Sequence, residues 1–295
     1  MTRSKTQEYP VIWLQAGTCT GCSVSVLNSV SPGIKNVLVD ELLPGRHVNL
    51  TYHATIMAGS GEPVITAMEN TASHKGAYIL VVEGAIPTRG DGRFGSLGER
   101  DGTPVPLAQR AEELGRNALA VIALGTCAAF GGIAAATPNP SRSIGTQELF
   151  RSKGIETPLI NLPGCPPHPD WFLGTVAAVF LTGLPKADAL DEFGRPKAYY
   201  GKLIHENCQR RAYYDEQKFA RKPGDQGCLY ELGCKGPVTH ADCPVRLWNG
   251  GVNWCVGCGG MCIGCTSPGF PDLVSPIYQK SPDVSLPNIC ATKEG

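Results

Sequence analysis

The residues most able to do chemistry in this 295-residue chain are its 13 cysteines, twelve of which fall into three groups. An odd number of cysteines in a chain of this length does not suit a small scaffold held by disulfides. Several of them stand at spacings typical of metal ligands, and thiolates bind both zinc and iron–sulfur clusters. The cysteines therefore predict metal or iron–sulfur binding.

The first group consists of Cys19, Cys22, Cys127 and Cys165. Four thiolates suit either a tetrahedral zinc ion or a cubane [4Fe–4S] cluster. The glycines close to these cysteines are Gly17, Gly21, Gly125 and Gly164. They would let the backbone approach a cluster and present N–H groups to its sulfurs. The alternative is that Cys127 and Cys165, which stand alone in the sequence, are buried and act as small apolar residues.

The second group consists of His205, Cys208, Cys228 and Cys234. Three cysteines and one histidine are able to hold zinc or an iron–sulfur cluster. Neutral imidazole in place of a thiolate removes one negative charge and tends to raise the reduction potential of a cluster. The sequence therefore makes this group a candidate redox site.

The third group consists of Cys243, Cys255, Cys258, Cys262 and Cys265. Its spacing leaves two arrangements open. In one, the last four cysteines bind a single cluster. In the other, Cys243, Cys262 and Cys265 bind it together with Cys255 or Cys258. Cys290 remains as a spare near the end of the chain.

The elements that must position the first group alternate between strands and helices. Short β-prone runs predict strands at Val11–Leu14, Val37–Val39, Val48–Tyr52, Tyr78–Val82, Leu119–Leu124 and Leu159–Leu162. Helices are predicted at Ser23–Ser29, Pro63–Lys75, Pro106–Leu114 and Trp171–Leu184. Buried apolar strands separated by helices indicate an α/β fold with a doubly wound parallel sheet, covered on both faces.

The predicted strands also explain how distant cysteines come together. The first, fifth and sixth strands are followed by Cys19 and Cys22, by Cys127 and by Cys165, respectively. Ligands of such sheets bind beyond the carboxyl ends of the strands. We therefore expect the first group to converge on one edge of the sheet.

The amino-acid composition of the chain changes after about residue 190. Nine of the 13 cysteines lie between Cys208 and Cys290, in a region with few apolar runs and many Gly and Pro residues. Metal ligation is able to order such a segment, because its free energy becomes folding free energy. We therefore predict a first domain at 1–190 and a small, irregular, cluster-rich second domain at 191–295.

Charge and hydropathy exclude other classes of protein. The chain has 26 Lys+Arg and 26 Asp+Glu, and this balance argues against a nucleic-acid binder. The start, Met1–Pro10, lacks the apolar stretch of an export signal, and the longest dense apolar run, Trp171–Leu184, is too short to span a bilayer. The chain as written is therefore expected to be soluble and cytoplasmic. A periplasmic or membrane-associated location is the alternative if an export signal was removed.

An ordered series of motifs runs from Trp13 to about Tyr278. It comprises Cys-Thr-Gly-Cys-Ser (19–23), Val-Glu-Gly-Ala-Ile-Pro (82–87), Gly-Thr-Cys-Ala-Ala-Phe-Gly-Gly (125–132), Pro-Gly-Cys-Pro-Pro-His-Pro-Asp-Trp (163–171), His-Glu-Asn-Cys (205–208), Glu-Leu-Gly-Cys-Lys-Gly-Pro (231–237), Trp-Asn-Gly-Gly-Val-Asn-Trp (248–254) and Cys-Ile-Gly-Cys (262–265). In this series the chain resembles the small subunit of nickel–iron hydrogenases over nearly its whole length.

The resemblance implies a flavodoxin-like amino-terminal domain and three iron–sulfur clusters, all expected to be [4Fe–4S]. The first group would hold the proximal cluster and the second group the distal cluster. The medial cluster would take Cys243, Cys262 and Cys265, with Cys255 as its fourth ligand. Many relatives have proline at that fourth position and a medial [3Fe–4S] cluster. Cys258 and Cys290 would be spare.

The resemblance also implies a function. The chain would relay electrons between the nickel–iron centre of a separate large subunit, its partner in a heterodimer or a higher oligomer, and an external acceptor near His205. That acceptor would be a cytochrome, a ferredoxin or a quinone-linked protein. The chain itself would contribute no catalytic residue, no membrane span and no nucleic-acid site. Gly21 and Thr126 stand where oxygen-tolerant relatives carry extra cysteines.

Some residues and rival functions stay open at this point. Glu83 is interpreted either as affecting a proton path or cluster potential, or as capping backbone N–H groups. His168, Lys235 and Trp254 are interpreted as structural residues that bond to or cover clusters. The rival functions are an iron–sulfur subunit of the complex I type and a structural zinc-binding protein.

Overall fold

The computed structural model describes residues 7–40 and 45–280 of the chain, so that Cys290 lies outside the described residues. Two compact units divide between Tyr199 and Tyr200. The domain boundary predicted from the sequence lies somewhat earlier, after residue 190. The first unit contains the first group of cysteines, and the second unit contains the second and third groups.

The described strands all belong to the first unit. In chain order they are β1 (Gln7–Gln15), β2 (Arg46–His53), β3 (Ile79–Glu83), β4 (Ile86–Pro87), β5 (Ser96–Arg100), β6 (Thr103–Pro106), β7 (Ala120–Leu124), β8 (Ser143–Ile144) and β9 (Leu159–Leu162). Five of them form a parallel sheet in the order β2-β1-β3-β7-β9. The pairs β4-β8 and β5-β6 form two small antiparallel sheets.

The order of the parallel sheet identifies its topology. Counted along the chain, the five strands follow the order 2-1-3-4-5, which is the flavodoxin-like doubly wound arrangement. β3 and β7, with the sequences ILVVE and AVIAL, are buried along their whole length. Continuous burial of this kind is typical of parallel strands with both faces covered. The predicted α/β fold is therefore confirmed.

The register of the sheet aligns the ends of its strands. Gln15 pairs with Glu83, Glu83 with Leu124, and Leu124 with Leu162. Four strands therefore end together, and we call this line of residues the carboxyl edge of the sheet. The segments that leave it, loops and the helices that begin there, carry the first group of cysteines.

Helices of the first unit cover and connect the strands. They are α1 (Gly21–Leu27), α2 (Ile34–Leu38), α3 (Glu62–Ser73), α4 (Leu107–Asn117), α5 (Thr126–Phe130), α6 (Gly132–Ala135), α7 (Thr146–Lys153), α8 (Pro169–Thr182) and α9 (Lys197–Tyr200), with a 3₁₀ turn at Ala187–Ala189. Among the described residues, no helix combines the length and apolar character needed to cross a membrane.

The strand predicted at Val37–Val39 is wrong, because this segment belongs to α2 and its end. Gly33 precedes the helix, and its N–H donates to the Asn36 side chain at 3.2 Å. The N–H of Val37 donates to the Gly33 carbonyl, also at 3.2 Å, and the Val37 side chain is buried. Local capping and the burial of one apolar side chain therefore outweigh the β-propensity of the valines.

The second unit contains no strand within its described residues, 200–280. Its elements are α10 (Arg211–Asp215), α11 (Cys243–Arg246) and 3₁₀ turns at Ile204–Asn207, Tyr230–Leu232, Gly236–Val238 and Asp272–Val274. None of these exceeds five residues. The loops between them carry most of the second and third groups of cysteines.

Candidate metal centres

The first group lies beyond the carboxyl edge of the sheet, as its spacing predicts. Cys19 follows β1 and Cys22 lies in α1, while Cys127 lies in α5 directly after β7 and Cys165 follows β9. Cys19 is exposed, and the other three are partly buried. Three strands thus deliver four thiols to one place.

The electrostatics of Cys22 show that these four thiols lie close together. Burial raises the pKa of Cys22 far above its ordinary value, and the charges of Glu83, Cys127, Cys19 and Cys165 raise it further. Burial likewise raises the pKa values of Cys127 and Cys165. Thiolates crowded in this way need a compensating positive charge, which iron or zinc supplies.

Two glycines permit the close approach of backbone to these sulfurs. A Cβ on Gly125, whose φ is +92°, would lie 2.5 Å from the Cys22 sulfur. A Cβ on Gly132, whose φ is +52°, would lie 2.8 Å from the Cys127 sulfur. Both positions therefore need glycine for the backbone angle and for the space. Gly132 was not among the glycines singled out from the sequence.

Backbone N–H groups point at the Cys127 sulfur. The N–H groups of Ile133 and Ala134 donate hydrogen bonds to it and act to lower the pKa of Cys127 against the effect of burial. Hydrogen bonds to thiolate sulfur stabilise its charge and are a main means by which proteins tune iron–sulfur clusters. The segment after β7, which comprises α5 and α6, therefore favours a charged sulfur.

Glu83 is a buried hydrogen-bond acceptor at the centre of the carboxyl edge. Its side chain is fully buried. Its donors are Trp13 Nε1 at 2.9 Å, Gln15 Nε2 at 3.4 Å, Thr18 Oγ1 at 3.2 Å, Ser23 Oγ at 2.5 Å and the Ser23 N–H at 3.2 Å. The carboxylate thus ties the end of β3 to both ends of the Cys19–Cys22 loop. The capping interpretation of Glu83 accounts for one of these bonds, the one from the Ser23 backbone.

Ser23 and His53 extend this hydrogen-bond network. Ser23 Oγ lies 3.1 Å from His53 Nε2, and the Thr55 N–H donates to His53 Nδ1 at 3.3 Å. His53 Nδ1 therefore accepts, and Nε2 carries the proton that it donates to Ser23. Ser23 stands in the 19–23 motif, but its contact with His53 was not predicted from the sequence, because no local spacing links two residues 30 positions apart.

The second group is marked by the unsatisfied imidazole of His205. This residue is buried, and its Nε2 has no hydrogen-bond partner within the described part of the chain. Burial lowers the pKa of His205, and nearby Arg211 lowers it further, so both favour the neutral ring. A neutral, buried and unpartnered Nε2 is the state in which histidine binds a metal.

The cysteines of the second group lie near one another. Burial raises the pKa of Cys228 to about 11, and the charges of Cys234 and Cys208 also raise it. Backbone N–H groups again face the sulfurs: the Arg210 N–H donates to Cys208 at 3.4 Å, and the Gly236 N–H donates to Cys234. The sulfurs of the second group are therefore surrounded by burial and backbone N–H groups like those of the first group, although no sheet positions them.

In the third group, the charge of Cys255 acts on Cys243. The charges of Cys265 and Cys255 add to burial in raising the pKa of Cys243. Cys262 is buried, and the charges of Cys234, Cys265 and Cys243 add to burial in raising its pKa. The charge of Cys258 raises the pKa of Cys255. This arrangement favours Cys255 over Cys258 as the fourth member.

Side chains interpreted as structural make defined contacts. His168 Nδ1 accepts the Asp170 N–H at 3.1 Å and caps α8. Trp254 is buried, and its Nε1 donates to the Gln209 side chain at 2.9 Å.

No three or more His, Cys, Asp or Glu side chains of the described residues are placed to hold a single metal ion.

Two family models match separate parts of the chain. Residues 19–179 match the family described as NADH ubiquinone oxidoreductase, 20 Kd subunit. Residues 200–278 match the family described as the C-terminal part of the NiFe/NiFeSe hydrogenase small subunit. The first unit is thus related to a protein of complex I, whereas the second unit matches hydrogenases.

Comparison with curated proteins covers both units at once. The periplasmic [NiFeSe] hydrogenase small subunit of Desulfomicrobium baculatum is 44% identical over 279 residues, which cover 91% of this chain and 86% of the relative. The chain belongs to the nickel–iron hydrogenase small subunits. A second relative, the periplasmic [NiFe] hydrogenase small subunit of Solidesulfovibrio fructosivorans, is 39% identical, with 92% of this chain and 81% of the relative covered.

Solved structures agree with this hydrogenase assignment. The structure of the H2-activated Dm. baculatum [NiFeSe]-hydrogenase matches with a TM-score of 0.86 and 43% identity, covering 93% of this chain and 100% of that chain. An actinobacterial-type NiFe-hydrogenase from Ralstonia eutropha H16 matches with a TM-score of 0.84 and 32% identity, covering 96% of this chain and 86% of that chain. Both fold and sequence therefore support the same family.

Membership of the hydrogenase small subunits decides between the rival functions. The family is part of an oxidoreductase and carries iron–sulfur clusters, which leaves the zinc-protein alternative without support. Both curated relatives are named as periplasmic. Their names agree with the alternative location and give the cytoplasmic prediction no support.

Proposed function

We propose that this hydrogenase small subunit relays electrons through three iron–sulfur clusters, between a nickel–iron centre in a large-subunit partner and an external acceptor. An iron–sulfur cluster supplies the capacity to take up and release single electrons. The residues of this chain bind the clusters, exclude water from them and set their charge environment. The solved relatives are a NiFeSe and a NiFe hydrogenase.

The observation that carries this proposal is the convergence of Cys19, Cys22, Cys127 and Cys165 at the carboxyl edge. The charges of Cys19, Cys127 and Cys165 raise the pKa of the Cys22 thiol, and Gly125 leaves space against the Cys22 sulfur. We assign these four residues to the proximal [4Fe–4S] cluster. The compensating positive charge that the site needs is then the iron of the cluster.

We assign the distal [4Fe–4S] cluster to the second group and the medial one to the third. The distal ligands are His205, Cys208, Cys228 and Cys234, in agreement with the unpartnered Nε2 of His205. The medial ligands are Cys243, Cys255, Cys262 and Cys265, and the charge of Cys255 is among those that raise the pKa of Cys243. The acceptor, a cytochrome, ferredoxin or quinone-linked protein, would approach the His205 end.

Metal analysis of the purified complex with its large subunit tests the proposal. We expect about twelve irons and about twelve inorganic sulfides per small subunit, and EPR signals that appear on reduction by hydrogen. The matched variant is Cys127→Ala, which should lose the proximal signal and roughly a third of the iron. A colourless complex containing stoichiometric zinc would contradict the proposal.

A further inference from the structure

Lys235 is a buried cation at the junction of the second and third groups. It directly follows Cys234, and its residue surface is only 3% exposed. Its N–H donates to the carbonyl of Cys262 at 2.8 Å. One residue therefore connects a cysteine of the second group to a cysteine of the third group.

The side chain of Lys235 is fixed in this position. Its Nζ donates to the Gln279 carbonyl at 2.7 Å. Its carbonyl accepts Thr239 Oγ1 at 2.6 Å. A Cβ on Gly264, inside the Cys262–Cys265 loop, would lie 3.4 Å from the Lys235 Cβ. The base of the lysine side chain therefore packs against the third group's loop, and its ammonium does not extend freely into solvent.

The hydrogen bond to the Gln279 carbonyl does not by itself require a charged side chain. Burial of an ammonium is unfavourable, because it loses its hydration. A neutral donor would satisfy the Gln279 carbonyl equally well. Cys234 directly precedes Lys235 in the chain, and the Cys262 carbonyl accepts the Lys235 N–H at 2.8 Å, so thiolates of both groups are available to favour the charged form. The ammonium of Lys235 is therefore expected to interact with the thiolates of the second and third groups.

The first group has a buried charge of the opposite sign. Glu83 is fully buried, and its charge disfavours the thiolate of Cys22. Adding an electron to a metal group adds one negative charge to it. A buried anion disfavours this change and a buried cation favours it, and both effects are strong where the dielectric constant is low.

We propose that Lys235 raises the reduction potentials of the two iron–sulfur groups that Cys234 and Cys262 help to hold. The proposal rests on the electron relay proposed above. It adds a residue that sets the relative reduction potentials of the iron–sulfur groups. Each group takes up one electron, with no bond made or broken in the protein. Lys235 stabilises the reduced state at that end of the relay, while Glu83 opposes reduction at the carboxyl edge.

The test is an EPR-monitored redox titration of the purified complex carrying Lys235→Met. We expect the midpoint potentials of the second and third groups to fall relative to the first. The exchange equilibrium between the second and first groups should shift at least tenfold, or about 59 mV for one electron. Lys235→Arg keeps the cation and should retain the wild-type midpoint potentials.

Lys280→Met is the matched control. Lys280 belongs to the same unit, but its side chain is 46% exposed and pairs with Glu231 at 2.6 Å. Water and salt screen such a charge, so its removal should leave all three midpoints unchanged. A midpoint shift as large in Lys280→Met as in Lys235→Met would overturn the proposal, because it would remove the special role of the buried site.

Other outcomes separate this proposal from the proposed function. Unchanged midpoints in Lys235→Met, with full iron content, would overturn the role of Lys235 and leave the relay intact. Loss of iron in both Lys235→Met and Lys235→Gln would assign the residue to holding the loop, and would also overturn its role in setting potentials. A wild-type complex without iron–sulfur signals would remove the proposed function and this inference together.

Discussion

The cysteines of the two units relate differently to the core around them. In the first unit they stand outside a sheet whose strands β3 and β7 are buried without them, and none of the four is itself buried. In the second unit Cys228, Cys243 and Cys262 are among the buried residues. The first unit binds its metal outside a core that is already formed, whereas metal binding in the second unit completes the core.

Iron removal should have the largest effect and should separate the two units. We expect the amides of β3 and β7 to keep slow hydrogen exchange in the iron-free chain, because apolar burial stabilises the sheet. Amides of residues 228–265 should lose protection by about two orders of magnitude or more, since structural metal sites contribute on the order of 10 kcal/mol to folding.

Hydrogen exchange followed by mass spectrometry, on iron-loaded and chelator-treated protein, measures this difference. The loaded protein is its own control. Equal loss of protection in both units would break the comparison, because the sheet would then depend on its metal as much as the loops do.

Gly125→Ala should damage the first group without unfolding the sheet. The new Cβ would lie 2.5 Å from the Cys22 sulfur. We expect roughly a third of the iron to be lost, with the other two groups retained. Iron analysis and EPR of the purified complex provide the measurement.

Gly102→Ala is the control for backbone strain in that experiment. Gly102 also has a positive φ, of +73°, but nothing lies within 4 Å of its added Cβ. Both variants carry a strain of about 1–2 kcal/mol, and only Gly125→Ala reaches a sulfur. Equal iron loss in the two variants would assign the effect to strain.

Cys255→Pro should have a smaller effect, limited to one iron of the third group. We expect a three-iron medial cluster with an EPR signal in the oxidised state, because the remaining three cysteines suffice for it. Cys258→Ala should leave iron content and EPR spectra unchanged, since Cys258 is exposed and is not one of the assigned ligands. Loss of medial iron in the Cys258 variant would reverse the assignment.

Glu83→Gln should have the smallest effect, a local destabilisation of the carboxyl edge. The carboxylate accepts from Trp13, Gln15, Thr18 and Ser23, and an amide turns one of its oxygens into a donor. We expect β1 and β3 to lose about 1–3 kcal/mol of opening free energy, measured by hydrogen exchange. Glu99→Gln, at an exposed position of β5, should change this value by less than about 0.5 kcal/mol.

Sequence patterns predicted the first unit better than the second, for a physical reason. Apolar runs such as Tyr78–Val82 report burial directly, so the sheet and the cysteines beyond it were predictable. The run Val37–Val39 misled, because capping by Asn36 at 3.2 Å favours a helix there. The hydrogen bonds of Glu83 were invisible, because Trp13 donates to it across 70 positions.

The second unit has no periodic pattern from which to predict its contacts. Its short elements follow no apolar repeat, so the division of its cysteines came from the resemblance to hydrogenases. Spacing alone left Cys255 and Cys258 open, and only their different electrostatic reach to Cys243 separates them. Lys235 was predictable as a motif residue, but its burial was not.

The hydrogen bond from the Lys235 N–H to the Cys262 carbonyl also bears on how the protein is put together. This 2.8 Å contact forms only when the Cys234 loop and the Cys262 loop are both in place. Loading of either group with iron therefore prepares the other, and partly loaded chains should be scarce. Maturation of the second unit would then be one cooperative event. The first unit, in contrast, would fold before it binds its metal.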